Sequence, residues 1–309
     1  MDIATNLVRL NDEFGIDGVL RFDEHEGLTR VSVTTTAASA TLYLHGAHLT
    51  HWQPAGEQPV LFMSAKSAFQ TSKAIRGGVP VIFPWFGDRH DGQAGPAHGF
   101  ARTTEWEFGF AALVGDELHM TLMLEPDEVS RGLGFDGFRV AYQIRVGKSL
   151  TMLFTVANDG DEALVFEEAL HAYYAVGDVR QSTVSGLKGT AYLDKRDPDE
   201  AGNPSHKVEA NDPLEMTGTT DRMYLDTAST CVIDDKAGKR KIKVAKTNSR
   251  TTVVWNPWEE LTAKLSDMEP EGWEGMLCVE TANAATDTVT LEPGAAHTMR
   301  AVVTVERES

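Results

Sequence analysis

Short apolar runs of period two recur from about residue 31 to the end of the chain, rich in β-branched and aromatic side chains and bounded by Gly, Asp, Asn or Pro. That alternation puts one face of an extended segment on a core and the other in solvent, so the runs predict strands. The clearest span 31–35, 40–44, 119–124, 138–146, 149–157, 252–255 and 298–305. Gly147-Lys148 between two of them suits a two-residue hairpin with glycine at the first turn position, and Asn158-Asp159-Gly160 supplies another turn. Strands joined this closely are expected to be antiparallel.

Helical signal is sparse. Asn256-Pro257-Trp258-Glu259 fits an N-cap, a proline at the first helical position and a glutamate able to close a capping box. Trp258, Leu261, Leu265 and Met268 then recur at helical spacing, so a short helix should lay one face on the sheet, with its aromatics in the core. No repeat, low-complexity tract or Pro/Ser-rich linker divides the chain. Residues 1–309 are therefore expected to form one all-β, mainly antiparallel β-sandwich domain with one or two short helices. The stretches 64–102 and 192–220 lack the alternation, and long ordered loops on a β scaffold are common places for function.

Charge narrows the classes of function. Twenty-eight basic against forty-six acidic side chains leave a formal charge of −18, which repels nucleic acid and anionic membranes. Two cysteines, Cys231 and Cys278, are too few and too far apart for a disulfide framework or a thiolate zinc site, and point to a reducing compartment. The segment MDIATNLVRLNDEFGIDG is acidic where a signal peptide is basic, and no apolar run approaches the ~20 residues of a membrane span. A cytoplasmic protein is expected, and at this size a self-sufficient monomer.

Against that acidic background, 66–102 holds five basic and two acidic residues, a local balance of +3. Its segment RGGVPVIFPWFGDRHDGQAGPAHGFAR, residues 76–102, begins and ends on arginine. Arginine's planar fork donates paired hydrogen bonds to a phosphate and stays charged, so Arg76 and Arg102 are candidate anion ligands. Taken singly, either reads more readily as half of a surface ion pair, and the surrounding motif has to overturn that reading. The richer basic cluster at 236–250 alternates Lys239, Lys241 and Lys243 with Ile242 and Val244, the pattern of a solvated sheet face. His171 in LHAYYAV follows an apolar run and could exchange protons near neutral pH, or be a hydrogen-bonded structural histidine. Glu280 in LCVETAN falls where an inner sheet face is expected, which calls for a partner, whether an ion pair or a ligand.

Taken in order, RGGVPVIFPWFG, HGFAR, LHAYYAV, TDRMY, VVWNPW and CVETAN resemble the glucose-6-phosphate 1-epimerase family, the hexose-6-phosphate mutarotases, over about residues 43–291. Each string is weak alone, but the ordered set is specific, and HGFAR with RGG separates this branch from mutarotases of unphosphorylated sugars. The resemblance implies a galactose-mutarotase-like β-supersandwich with an open cleft, a sugar phosphate as its small-molecule partner, and neither cofactor nor metal. It implies catalysis by His171 and Glu280, phosphate binding by Arg76 and Arg102, sugar contact by Asp221, and His98 orienting the sugar near its reacting end. Family members often carry glutamine just before HGFAR; Ala97 stands there in this chain, so that side chain's hydrogen bond to substrate is expected to be absent.

Anomer exchange needs proton transfers alone. In the implied scheme Glu280 takes the C1 hydroxyl proton, protonated His171 gives one to the ring oxygen, and the roles reverse after rotation about C1–C2. An aldose 1-epimerase of free hexoses would share this chemistry without needing the arginines. A non-catalytic carbohydrate-binding sandwich would not need both His171 and Glu280, and an auxiliary sandwich of a glycosidase would be expected to accompany a catalytic domain and a secretion signal.

Overall fold

In the computed structural model, which describes residues 3–307, the alternating runs form two large antiparallel sheets. One has nine strands, in the order Leu214–Glu215, Ser182–Ser185, Cys231–Asp235, Arg240–Thr247, Ala296–Arg307, Leu150–Asn158, Phe138–Val146, Glu117–Leu124 and Glu107–Val114. The other has eight: Pro204–Val208, Ala191–Pro198, Thr220–Tyr224, Thr251–Asn256, Met276–Asn283, Glu168–Leu170 and Val81–Ile82 follow one another across it, and Tyr173–Ala175 also pairs with Met276–Asn283. A four-stranded meander over Leu20–His25, Leu28–Thr34, Ala38–Tyr43 and His48–Pro54 adds a further layer.

Alternation decides which side chains meet. In Phe138–Val146 every second residue, Phe138, Val140, Tyr142, Ile144 and Val146, is buried, and the residues between them are not. Met276–Asn283 is instead buried at all eight positions, as a strand covered on both faces must be. One of its faces joins a hydrophobic cluster that draws on residues from Leu10 to Val303, with Trp52, Trp106, Phe83 and Phe154 inside it. Each such aromatic contributes about 2–3 kcal/mol by leaving water. The other face of Met276–Asn283 is the floor of the cleft described below.

Several local expectations are revised. Val146 pairs with Leu150, so Gly147, Lys148 and Ser149 make a three-residue loop, and Gly147 does not adopt the left-handed conformation a glycine-first turn requires. Asn256 does accept the Trp258 amide at 2.8 Å, but its backbone still belongs to the strand, and the helix is limited to Trp258–Thr262 without a capping box from Glu259. Leu265 and Met268 lie beyond that helix and pack beside Tyr173, Met276 and Cys278. The segment 192–220 holds a hairpin, Ala191–Pro198 with Pro204–Val208, so only 64–102 is long and irregular. In the basic cluster, Arg240 is buried against Asp235 at 3.2 Å, while the positions flanking Ile242 and Val244 are more exposed, as expected of an outward face.

The helix Ile3–Phe14 was not anticipated. Leu7, Leu10 and Phe14 lie along one face of it against the core, and the Asn11 side chain bonds the Phe22 carbonyl and amide at 2.8 and 3.0 Å. Its apolar spacing is the signal a helix leaves in sequence. Among the described residues no helix is long and apolar enough to cross a membrane.

Candidate active site

Strand register brings His171 to Glu280. Leu170 pairs with Thr281 on one side, and Tyr173 pairs with Cys278 on the other. The position between them sets His171 opposite Glu280, and their Nδ1 and Oε1 atoms lie 3.3 Å apart. Val253 pairs with Glu280, and Trp255 pairs with both Cys278 and Asp221, so Asp221, Val253, Trp255 and Glu280 share one face of the sheet. His171 is stacked on Tyr173 with ring centroids 4.9 Å apart and meets the Trp255 edge at 6.1 Å. The imidazole is thus held on two sides by rings that leave it little rotational freedom.

Loop 64–102 supplies the rest. A Cβ on Gly78 would fall on the Leu49 carbonyl, and one on Gly99 would fall on the Phe83 carbonyl; both residues have positive φ. Glycine at these two positions lets the RGG and HGF segments press onto neighbouring backbone, which fixes where Arg76 and His98 emerge. His98 has φ 65° and its Nδ1 accepts the Gly87 amide at 3.1 Å, so its Nε2 carries the ring proton. Arg76 donates to the Tyr173 hydroxyl at 2.8 Å and to Asp267 at 3.1 Å. Arg102 makes one hydrogen bond, to the Ala97 carbonyl at 2.7 Å, and no ion pair among the described residues.

Together these groups enclose a cleft of about 200 Å³, with Arg76, Arg102, His98, His171, Asp221 and Glu280 all on its wall. All six residues singled out in the sequence are therefore brought to one place. Five others there were not singled out, Val253 among them. Tyr173 had a signal, sitting two residues after His171 on the same side of an extended segment, and Trp255 stands in VVWNPW. Phe86 and Lys195 had none; Lys195 belongs to the hairpin strand Ala191–Pro198 and stands over the Phe86 ring at 5.3 Å.

Burial sets the protonation of the cleft. It raises the Glu280 carboxyl well above the ordinary value, and Asp221 adds to the effect. It lowers His171 well below the ordinary value, helped by the positive field of His98, Arg102 and Arg76. His98 is held down to about 3 by burial and then by Arg102. Both shifts favour a carboxylic acid beside a neutral imidazole over the carboxylate and imidazolium from which the implied scheme starts. The His171 Nδ1–Glu280 Oε1 approach is close but not aligned as a hydrogen bond, and Glu280 Oε2 has no protein partner either, although these atoms are buried. Buried polar atoms left this way are costly unless a ligand completes them.

The fold has its parallels among solved structures of mutarotase-like proteins. A crystal structure of a candidate mutarotase from Salmonella typhimurium superposes with a TM-score of 0.87 at 29% identity, covering 96% of both chains. A galactose mutarotase-like protein from Clostridium acetobutylicum shares the fold alone, with a TM-score of 0.69 at 11% identity over 93% of this chain and 98% of that one. The chain belongs to the aldose 1-epimerase family, whose sequence profile matches residues 29–304. A candidate glucose-6-phosphate 1-epimerase of Escherichia coli (strain K12) is 35% identical over 280 residues, 90% of this chain and 91% of that protein.

Proposed function

We propose that this chain is a hexose-6-phosphate 1-epimerase, an isomerase that exchanges the α and β anomers of sugars such as glucose 6-phosphate. On this reading residues 1–309 form one catalytic β-sandwich domain that works as a monomer in the cytoplasm. Membership of the aldose 1-epimerase family supports the reaction class, and the name of the E. coli relative supports the phosphorylated substrate. The observation that carries the phosphate is Arg102, a partly buried guanidinium with no carboxylate partner, in the same cleft as His171 and Glu280.

The chemistry follows from the proton count of the buried pair. One dissociable proton sits on Glu280 at rest, and passing it across the 3.3 Å contact gives carboxylate and imidazolium. A phosphate dianion between Arg76 and Arg102 favours that state, because it cancels the positive field that disfavours a charged His171. Glu280 then takes the C1 hydroxyl proton while His171 gives its Nε2 proton to the ring oxygen. The C1–O5 bond breaks with its electron pair going to O5, which leaves an aldehyde at C1. After a half-turn about C1–C2 the O5 hydroxyl attacks the other carbonyl face and returns its proton to His171. Glu280 reprotonates the former carbonyl oxygen, so no proton is gained or lost in the cycle. Each positioned acid or base contributes about 10²–10⁴-fold.

Asp221 and the Nε2–H of His98 present an acceptor and a donor to the sugar hydroxyls. The phosphate grip keeps the opened chain in place while C1 turns. Comparing the wild type on glucose 6-phosphate and on free glucose tests the reading, with kcat/KM expected to favour the phosphate ester by about a hundredfold. Equal acceleration of both sugars would reassign the protein to free hexoses, and acceleration of neither would leave a carbohydrate-binding sandwich.

A further inference from the structure

The cleft does not end at the arginine pair. Arg76, Arg102 and Tyr173 also line a second cavity of about 550 Å³, against about 200 Å³ for the first. Lys66 and Lys73 stand on its wall, and Asp267 is its one acidic residue. Asp267 is committed to Arg76, at 3.1 Å. Glu269, the carboxylate that feels the Lys66 charge, is committed to the Ser64 hydroxyl at 2.8 Å and to the Ala65 amide. Among the described residues neither lysine ammonium closes an ion pair or donates a hydrogen bond, and Arg102 closes no ion pair, so Lys66, Lys73 and Arg102 are three cations without an ion-pair partner. One phosphate monoester brings about 1.5–2 negative charges and occupies only the arginine end. Positive charge and most of the larger cavity are left over.

We propose that this second cavity is an anion subsite for a further phosphoryl group. Resting on the arginine pair as the seat of the substrate's own phosphate, it makes the cleft a binder of diphosphoryl ligands: inorganic pyrophosphate, and sugar esters that end in a diphosphate. The first phosphoryl group lies at Arg76 and Arg102 and the second at Lys66 and Lys73. Such ligands compete with hexose 6-phosphates because both classes use the arginines. Lysine suits the outer position, since a flexible stem with a point charge tolerates the varied orientation of a terminal phosphoryl group.

Isothermal titration calorimetry in phosphate-free buffer at fixed ionic strength tests this without reference to turnover. The probes are inorganic phosphate and inorganic pyrophosphate, and the proteins are the wild type, the double variant Lys66→Ala/Lys73→Ala and Arg102→Ala. Both lysines are exposed, so the double variant should keep the wild-type melting temperature. Pyrophosphate should bind the wild type at least about tenfold more tightly than phosphate, the effect of one added charge-assisted hydrogen bond. The double variant should lose that advantage while still binding phosphate, and Arg102→Ala should weaken both anions. Equal affinities in the wild type, or an advantage that survives loss of both lysines, would overturn the second subsite and leave the arginine seat standing. Failure of the wild type to bind either anion would overturn the seat and the subsite together.

Discussion

Replacing Arg102 by alanine separates a residue kept for ligand from one kept for the fold. Of the five donors on its guanidinium, one is used inside the protein, at 2.7 Å to the Ala97 carbonyl. Two of the others suffice for a bidentate grip on a phosphate, and each charge-assisted bond is worth about 1.5–3 kcal/mol. Taking the low end of that range for both gives about 3 kcal/mol, or about a hundredfold in kcat/KM on glucose 6-phosphate. The loss should appear mainly in KM, because the phosphate is held alike in the ground and transition states. Activity on free glucose should hardly change. Stability should move the other way: burial and the neighbouring Arg76 both disfavour the charged guanidinium, and the fields of Tyr173, Asp267 and Glu280 offset them only in part. Removing it should leave the melting temperature unchanged or raise it, at about 2 °C per kcal/mol for a chain of this size. Steady-state kinetics on both sugars with a thermal melt of the same preparation reads all three quantities. A melting temperature lowered by several degrees, with glucose and glucose 6-phosphate affected equally, would show Arg102 to be structural and refute the reasoning.

Arg76→Ala should behave differently, raising KM for the phosphate ester but also lowering the melting temperature, because it strips partners from Asp267 and the Tyr173 hydroxyl; differential scanning calorimetry reads the second effect. Asp221→Asn should cost about tenfold in kcat/KM on phosphorylated and free hexose alike, as expected of a sugar contact and not of a phosphate contact. Burial raises the Glu168 carboxyl from 4.5 to about 7, so the folded state holds a proton that the unfolded chain releases between those pH values. The stability this contributes is full below pH 4.5 and is lost as pH rises through 7, and His297, raised by the Glu168 carboxyl 3.4 Å from its Nε2, acts in the same direction. Urea titrations should therefore show the stability of the wild type relative to Glu168→Gln falling by about 3 kcal/mol from pH 4.5 to 8. His98, held near 3, should show no titration between pH 5 and 8 and should keep its Nε2 proton, as read by ¹⁵N-edited spectra of the ring.

What the sequence disclosed depended on how local the determinant was. The strand Phe138–Val146 was legible to the residue because FRVAYQIRV alternates without interruption and its partners share that period. The helix Ile3–Phe14 carries an equally local signal, the spacing of Leu7, Leu10 and Phe14. Gly147-Lys148 misled because a hairpin's length is set by the register of its strands, here Val146 with Leu150, and not by its turn residues alone. The motif strings located His171 and Glu280, yet their opposition comes from the pairing of Glu168–Leu170 and Tyr173–Ala175 with one strand more than a hundred residues away. The two arginines looked equivalent in sequence. Asp267, 191 residues beyond Arg76, removes that equivalence by pairing with one of them. Lys195 was invisible for the same reason, since DKRDPDE falls in a stretch without alternation, expected to be a loop, and only the fold turns it onto Phe86.

The central claim is that His171 and Glu280 exchange anomers through one shared proton, and two-dimensional proton exchange spectroscopy on equilibrated glucose 6-phosphate tests it most directly. The α–β exchange rate would be compared for wild type, His171→Ala, Glu280→Gln and buffer alone. Rapid wild-type exchange should fall by about 10²–10⁴-fold in each variant, with Glu280→Gln still folded and still binding the ester. Exchange that persists in either variant at close to the wild-type rate would contradict the account and place the chemistry elsewhere in the cleft.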